Sequence, residues 1–199
     1  MTGTATELTG QTALITGRDH RRGQTVLDEL PGVRFVPADL ADAASVASLV
    51  DQAGDVDILV NNAASFPGAL TVDQDMATFE TTFDTNVRGS YFLTAGLVPG
   101  MLRRRRGSIV NVTSMVASKG VGGASTYGVR VNSVAPGPTK TEGVEAQWGD
   151  TNEELGRALP LGRTADPEEI AHAVLFLASP RSSFITGSTL HADGGGTAV

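Results

Sequence analysis

The 199-residue chain contains no cysteine, which excludes disulfides, a thiolate nucleophile and cysteine-ligated zinc or iron–sulfur sites. That composition suits a reducing compartment, and a cytoplasmic location is expected. Histidine is scarce: His20, His172 and His191 are too scattered to suggest a metal site. No long hydrophobic run is present, the longest being residues 173–178, and residues 1–10 have neither a basic start nor an apolar stretch. Neither a membrane span nor secretion by a signal peptide is expected. Positive charge is also in deficit, 15 Lys plus Arg against 22 Asp plus Glu for a net charge of −7, which argues against sequence-independent binding of nucleic acid. The one basic cluster, residues 103–106 (RRRR), reads as the solvated end of a long helix, with Gly107 as its terminator.

With 40% hydrophobic and 19% charged residues, the chain has the means to build a core, and a domain of this size buries roughly 70% of its unfolded surface. There is no internal repeat and no linker, so residues 1–199 read as a single domain. Short β-branched runs alternate with helix-like segments, the pattern of an α/β fold with a doubly wound parallel sheet. Strands are expected at residues 12–16 (TALIT), 33–36 (VRFV), 56–60 (VDILV), 108–112 (SIVNV), 129–134 (VRVNSV) and 188–191 (STLH). Most are continuously apolar, as strands buried on both faces are. Helices are expected at 22–30, 43–53, 76–105, 152–158 and 167–178. The last is the best specified, because Ile170, Val174 and Leu177 recur on one face behind Asp166 as N-cap and Pro167 in the first turn. The glycine run 194–196 reads as a flexible tail.

Eight segments in order resemble the short-chain dehydrogenase/reductase family. They are ALITG at 13–17, PADL at 37–40, DILVNNAA at 57–64, NVRG at 86–89, GSIVNVTS at 107–114, VRVNSVAPG at 129–137, PLGR at 160–163 and ITGSTLHADGG at 185–195. The resemblance implies a Rossmann-like dinucleotide-binding fold, NAD or NADP as cofactor, and hydride transfer between an alcohol and a ketone or related carbonyl. It implies cofactor contacts at Gly17, Arg18, Asp39, Leu40, Asn61, Ala63, Pro136, Gly137 and Thr139. Arg18 at that place favours NADP. It also implies a catalytic Ser114, a proton-transferring Tyr127 and an Asn86 that holds a relay water. The same resemblance implies a homo-oligomer, dimer or tetramer, with the surface from Pro167 to the C-terminus as an interface. By residue type alone, Asp39 is more often a helix cap, Asn86 is equally a local side-chain to backbone bond, and Ser65, Ser118 or Ser125 is a rival to Ser114. Trp148, within a substrate-covering segment at 139–159, is equally a packing anchor.

The chain departs from the family pattern at two places. Position 131, four residues after Tyr127, is Val where the family has Lys, and the helix that should carry the Tyr–Lys pair is absent. Lys119 and Lys140 are the only lysines, and neither has the spacing. After Thr16-Gly17 the glycine-rich phosphate loop is also broken, with Arg21 where the middle glycine belongs. The preferred alignment instead sets residues 17–30 after the family's second strand, so that the phosphate loop, first helix and second strand are all missing and Arg18 takes the place of the NADP-binding basic residue. Each gap amounts to about 20 residues, enough to leave an apolar sheet face uncovered and the fold shortened. A second reading follows, in which the chain is a non-catalytic remnant or binding module that keeps the fold but lacks the phosphate loop and the catalytic Lys. In a shortened sheet, residues 22–30 cross from the first strand directly to 33–36.

Overall fold

The computed structural model describes residues 8–17, 20–30, 32–65, 75–114 and 129–198. Its centre is a five-stranded sheet, all parallel, in the order β1-β2-β3-β4-β5: Ala13–Ile15, Ile58–Asn61, Gly107–Val112, Val129–Pro136 and Thr189–Ala192. Helices α1 (His20–Glu29), α2 (Ala43–Ala53), α3 (Met76–Phe83), α4 (Ser90–Arg104), α5 (Glu142–Ala158) and α6 (Pro167–Ala178) complete the fold.

Side-chain alternation along the strands builds two cores. Leu59, Ile109 and Val129 face α2 and α4, where they meet Val46, Leu49, Leu93, Leu97 and Met101. Ile58, Val60, Val110 and Val134 face the other way and pack under Leu177 and Ala178 of α6. That second face is covered by α6 over β2 to β4. α6 is held there by Arg130 of β4, which donates to the carbonyls of Leu177 (2.7 Å) and Ala178 (3.2 Å) at the helix end. At its start, the Glu169 carboxylate accepts from the Asp166 amide and from both terminal nitrogens of Arg163. Arg163, then the Asp166 amide, pull the Glu169 pKa down to about 2.

Four local expectations are corrected. Residues 33–36 form no strand, because nothing in the sheet pairs with them: Phe35 lies against Gly23 of α1, and Arg34 donates to the Gln52 carbonyl at 2.6 Å. The expected helix over 76–105 is interrupted by a π-helical turn, Asp84–Gly89, that joins α3 to α4. Helix α5 begins ten residues before the expected 152 and bends at Gly149, whose backbone is not helical, beside a 43% exposed Trp148. The 194–196 run is an ordered turn rather than a free tail, since the buried Asp193 carboxylate accepts from Gly195 N, Thr197 N and Thr197 Oγ1.

The arginine run is more than a solvated helix end. Arg105 takes a left-handed conformation (φ 50°) that stops α4, with Arg105 N donating to Leu102 O and Arg106 N to Met101 O. This turn carries Arg104 and Arg106 to the amino end of β2, where Arg104 pairs with Asp55 and Arg106 with Asp57 (2.9 Å). Gly107, expected to end the helix, starts β3 instead, and the space of its missing Cβ is filled by Met101.

Candidate functional site

In a parallel sheet the carboxyl ends of the strands lie on one edge, where the following loops leave room for ligands. Thr16 and Gly17 follow β1, Asn61 closes β2 ahead of Asn62 and Ala63, Thr113 and Ser114 follow β3, and Pro136 closes β4 ahead of Gly137 and Thr139. The edge thus gathers Gly17, Asn61, Ala63, Ser114, Pro136, Gly137 and Thr139 from four consecutive strands. Arg18 and Tyr127 lie outside the described residues, as does Lys119.

Thr16, which local sequence reasoning passed over, ties β1 to the turn after β2. Its hydroxyl donates to Val60 O (3.3 Å) and accepts from Asn62 N (3.0 Å) and Ala63 N (2.9 Å), while Asn62 Nδ2 donates to Thr16 O (3.0 Å). A threonine at the end of an apolar strand was the available signal; what was missing was which turn it would meet. Asn61 is buried, and its Nδ2 donates to Thr94 Oγ1 (3.2 Å) and to Asn111 Oδ1 of β3 (2.9 Å).

Asn86 sits within the π-helical turn, a form often found where a helix serves a site. Its Oδ1 accepts from Ser65 N (2.7 Å) and its Nδ2 donates to Ser65 O (2.8 Å), so both amide atoms hold the loop that continues from β2. The turn is seated by Gly89, where a Cβ would overlap the carbonyl of Leu40, and by Arg88, which donates to Ala41 O at 2.7 Å. Asn86→Leu removes both bonds to Ser65 and should cost about 1–2 kcal/mol, read as a fall of about 4 °C in Tm by calorimetry.

Asp39 and Leu40 stand apart from the strand ends. The exposed Asp39 accepts from Ala41 N (2.9 Å) and its amide donates to Ser45 Oγ (2.8 Å), a turn at the head of α2. The Leu40 side chain is buried in the α2–α4 core. At β4 the Thr139 hydroxyl donates to Gly137 O (2.9 Å), and Gly137 is required for packing, since a Cβ would come within 2.7 Å of the Asp193 backbone. Lys140 follows as an exposed side chain whose amide donates to Ala165 O. A cavity of about 460 Å³ opens here, lined among others by Gly137, Pro138, Leu161, Ile170 and His191.

These residues fit a dinucleotide at one end. Among the described residues, a Cβ on Gly17 would meet nothing within 4 Å, which leaves room for close approach, and Asn61 Oδ1 is a buried acceptor without a partner. The three-glycine cradle for a pyrophosphate is not formed: the open side of Gly23 is filled by the Phe35 ring, and position 21 is an exposed arginine.

Residues 3–129 match the family described as short chain dehydrogenase, and residues 123–197 match the one described as Enoyl-(Acyl carrier protein) reductase. The 3-oxoacyl-[acyl-carrier-protein] reductase FabG of Rickettsia conorii is 30% identical over 235 aligned positions, covering 95% of this chain and 98% of the relative. That alignment is longer than the 199-residue chain, so the relative carries residues with no counterpart here. The 2-keto-3-deoxy-L-fuconate dehydrogenase of Xanthomonas campestris pv. campestris is 33% identical, over 94% of this chain and 72% of the relative. A solved short chain dehydrogenase/reductase family protein superposes with a TM-score of 0.85 at 50% identity, over 97% of this chain and 100% of that one. The Serratia marcescens short-chain dehydrogenase/reductase does so with a TM-score of 0.76 at 29% identity, over 92% and 86%. With the parallel sheet, the strand-end site and a match running from residue 3 to 197, the chain belongs to the short-chain dehydrogenase/reductase family of oxidoreductases.

Proposed function

We propose that this protein interconverts an alcohol and a carbonyl with NAD(P), taking a small alcohol or carbonyl compound as substrate, with NADP favoured by the resemblance at Arg18. The observation that carries the reading is the alignment of Asn61, Ala63, Ser114 and Pro136–Thr139 on the ends of three adjacent strands, with Asn86 bound to the first of their loops. When bound, the nicotinamide supplies or accepts the hydride, and the protein's task is to position and polarise. Gly17 leaves room for close approach, and Asn61 Oδ1 offers a buried acceptor with no partner among the described residues. The Ser114 hydroxyl donates to the substrate oxygen, and Tyr127 transfers the proton. Asn86 keeps the 61–65 loop in place, its Oδ1 and Nδ2 each bonded to the Ser65 backbone.

The second reading, a relative that keeps the fold without turnover, is favoured by position 131. Val131 lies inside β4, paired in register with Ile109, so the position four residues after Tyr127 in the sequence is a strand valine and not a lysine. An unassisted tyrosine has a pKa near 10, leaving about one molecule in a thousand ionised at pH 7. Titrating NADPH against the purified protein and following nicotinamide fluorescence separates the two. Saturable binding, weak because the glycine cradle is lacking, with slow oxidation on adding a 3-oxoacyl thioester, supports the enzyme. Absence of binding up to about 1 mM, the upper end of ordinary KM values, supports the non-catalytic relative.

A further inference from the structure

Among the described residues the parallel sheet stops at β1, which pairs with β2 alone. Successive residues of a parallel strand point their backbone groups to opposite neighbours. Thr12 O accepts from Asp57 N and Ile58 N, and Thr16 N donates to Val60 O, so the even-numbered residues serve β2. The N–H and C=O of Ala13 and of Ile15 therefore face the open edge, and among the described residues no hydrogen bond joins them to the segment opposite. That segment, residues 32–38, has a strand's composition but is not a strand of the sheet. Between the two lies a cavity of about 500 Å³, with residues 11–17 on one wall, 32–38 on the other, and Leu40, Leu49, Ala53 and Val56 as an apolar floor. With strands about 4.8 Å apart, a rise of about 3.3 Å per residue and a layer about 10 Å thick, such a volume holds roughly three strand residues. β1 is itself three residues long.

We propose that this slot binds an extended peptide segment of a partner protein, added to the sheet as a strand beside β1. The backbone sets the class of ligand, because a row of donors and acceptors repeating every second residue is satisfied by another strand and not by a compact molecule. The floor asks for apolar side chains at alternate positions. The wall carries one charged residue, Arg34, and no carboxylate, so a single acidic residue at that end complements it. A second copy of this chain is a poorer occupant, since each copy carries a net charge of −7.

The probe is a fluorescein-labelled seven-residue peptide of one Glu followed by alternating Val and Thr, titrated with the full chain and read by anisotropy. Saturable binding is expected, weakened at least tenfold in Ala13→Pro. That substitution removes an outward N–H and leaves the β1–β2 ladder intact. Because Ala13→Pro risks misfolding, hydrogen exchange on the unmodified protein provides the second readout. Saturating peptide should slow exchange of the Ala13 and Ile15 amides at least tenfold, and leave the Leu59 amide, in the sheet interior, unchanged. No binding up to about 1 mM peptide, equal binding to a folded Ala13→Pro, or unchanged exchange at both amides overturns the proposal. So does a dimer of the chain that Ala13→Pro dissociates, which would give the edge to a second copy.

Discussion

Asp57→Ala lowers the stability of the protein by about 3 kcal/mol, a fall of roughly 9 °C in Tm for a chain of this length, as calorimetry would record it. Asp57 is buried at the amino end of β2, its side chain only 7% exposed. It accepts from Thr12 N (3.1 Å) and from Arg106 Nε and Nη2 (3.1 and 2.9 Å), and Arg104 stands 3.6 Å away. Its removal strands the Thr12 amide and takes from Arg104 Nε its nearest carboxylate, leaving that guanidinium only Asp55 and the Val56 carbonyl among the described residues. A break there loosens the joint between β1, β2 and the turn after α4 together.

The same carboxylate supplies a pH dependence. Burial by itself would raise its pKa, but the Thr12 amide, the Arg106 hydrogen bond and the charges of Arg106 and Arg104 outweigh it and hold the group below the ordinary carboxylate range. A depressed acid stabilises the fold fully above its unfolded pKa, near 4, and the contribution disappears as pH falls through the lower folded value. The native protein should thus lose stability below about pH 4, while Asp57→Asn should show a shallower loss over that interval. Equal slopes in urea melts of the two proteins between pH 2 and 5 would remove Asp57 from the acid response.

Thr16→Val is expected to cost about 2 kcal/mol, or roughly 6 °C in Tm. Valine keeps the shape and removes the oxygen that accepts from both Asn62 N and Ala63 N. Unlike Asp57, Thr16 stands at the functional end of the sheet, so the loss is felt in binding as well as stability. Freed from the hydroxyl, the 62–63 turn no longer has a set position against β1, and NADPH affinity should fall at least fivefold relative to the native protein. Thr16→Ser retains the oxygen and should restore both properties. If Thr16→Val melts lower but binds NADPH unchanged, the clamp stabilises the fold without shaping the cofactor site.

These two residues also mark how much of the molecule could be read before it was seen folded. Asp57 and Thr16 are visible in the sequence only as polar ends of apolar strands. Their partners lie 49 and 47 residues away, at Arg106 and Ala63, and nothing local names them. Where the controlling interactions are local, sequence was sufficient. The period of Ile170, Val174 and Leu177 with Asp166 and Pro167 specified α6 to the residue, and β2 and β3 stand where apolar runs predicted them. Asn86 could be singled out as an unusual helix residue, but its grip on Ser65 depends on a π-helical turn that Gly89 allows by lying against Leu40.

The sequence by itself determined the family, the parallel α/β class and the strand ends on which the candidate site stands. Each of these is written in short motifs and in periodicities spanning fewer than about 20 residues, which follow from helix and strand geometry. Tertiary structure alone decided that residues 33–36, strand-like in composition, would find no sheet neighbour. A strand is defined by hydrogen bonds to a partner, and no run of residues encodes whether that partner will be within reach. It likewise decided that two arginines of a charged run would be drawn into ion pairs at β2, because a left-handed turn at Arg105 delivers them to Asp55 and Asp57.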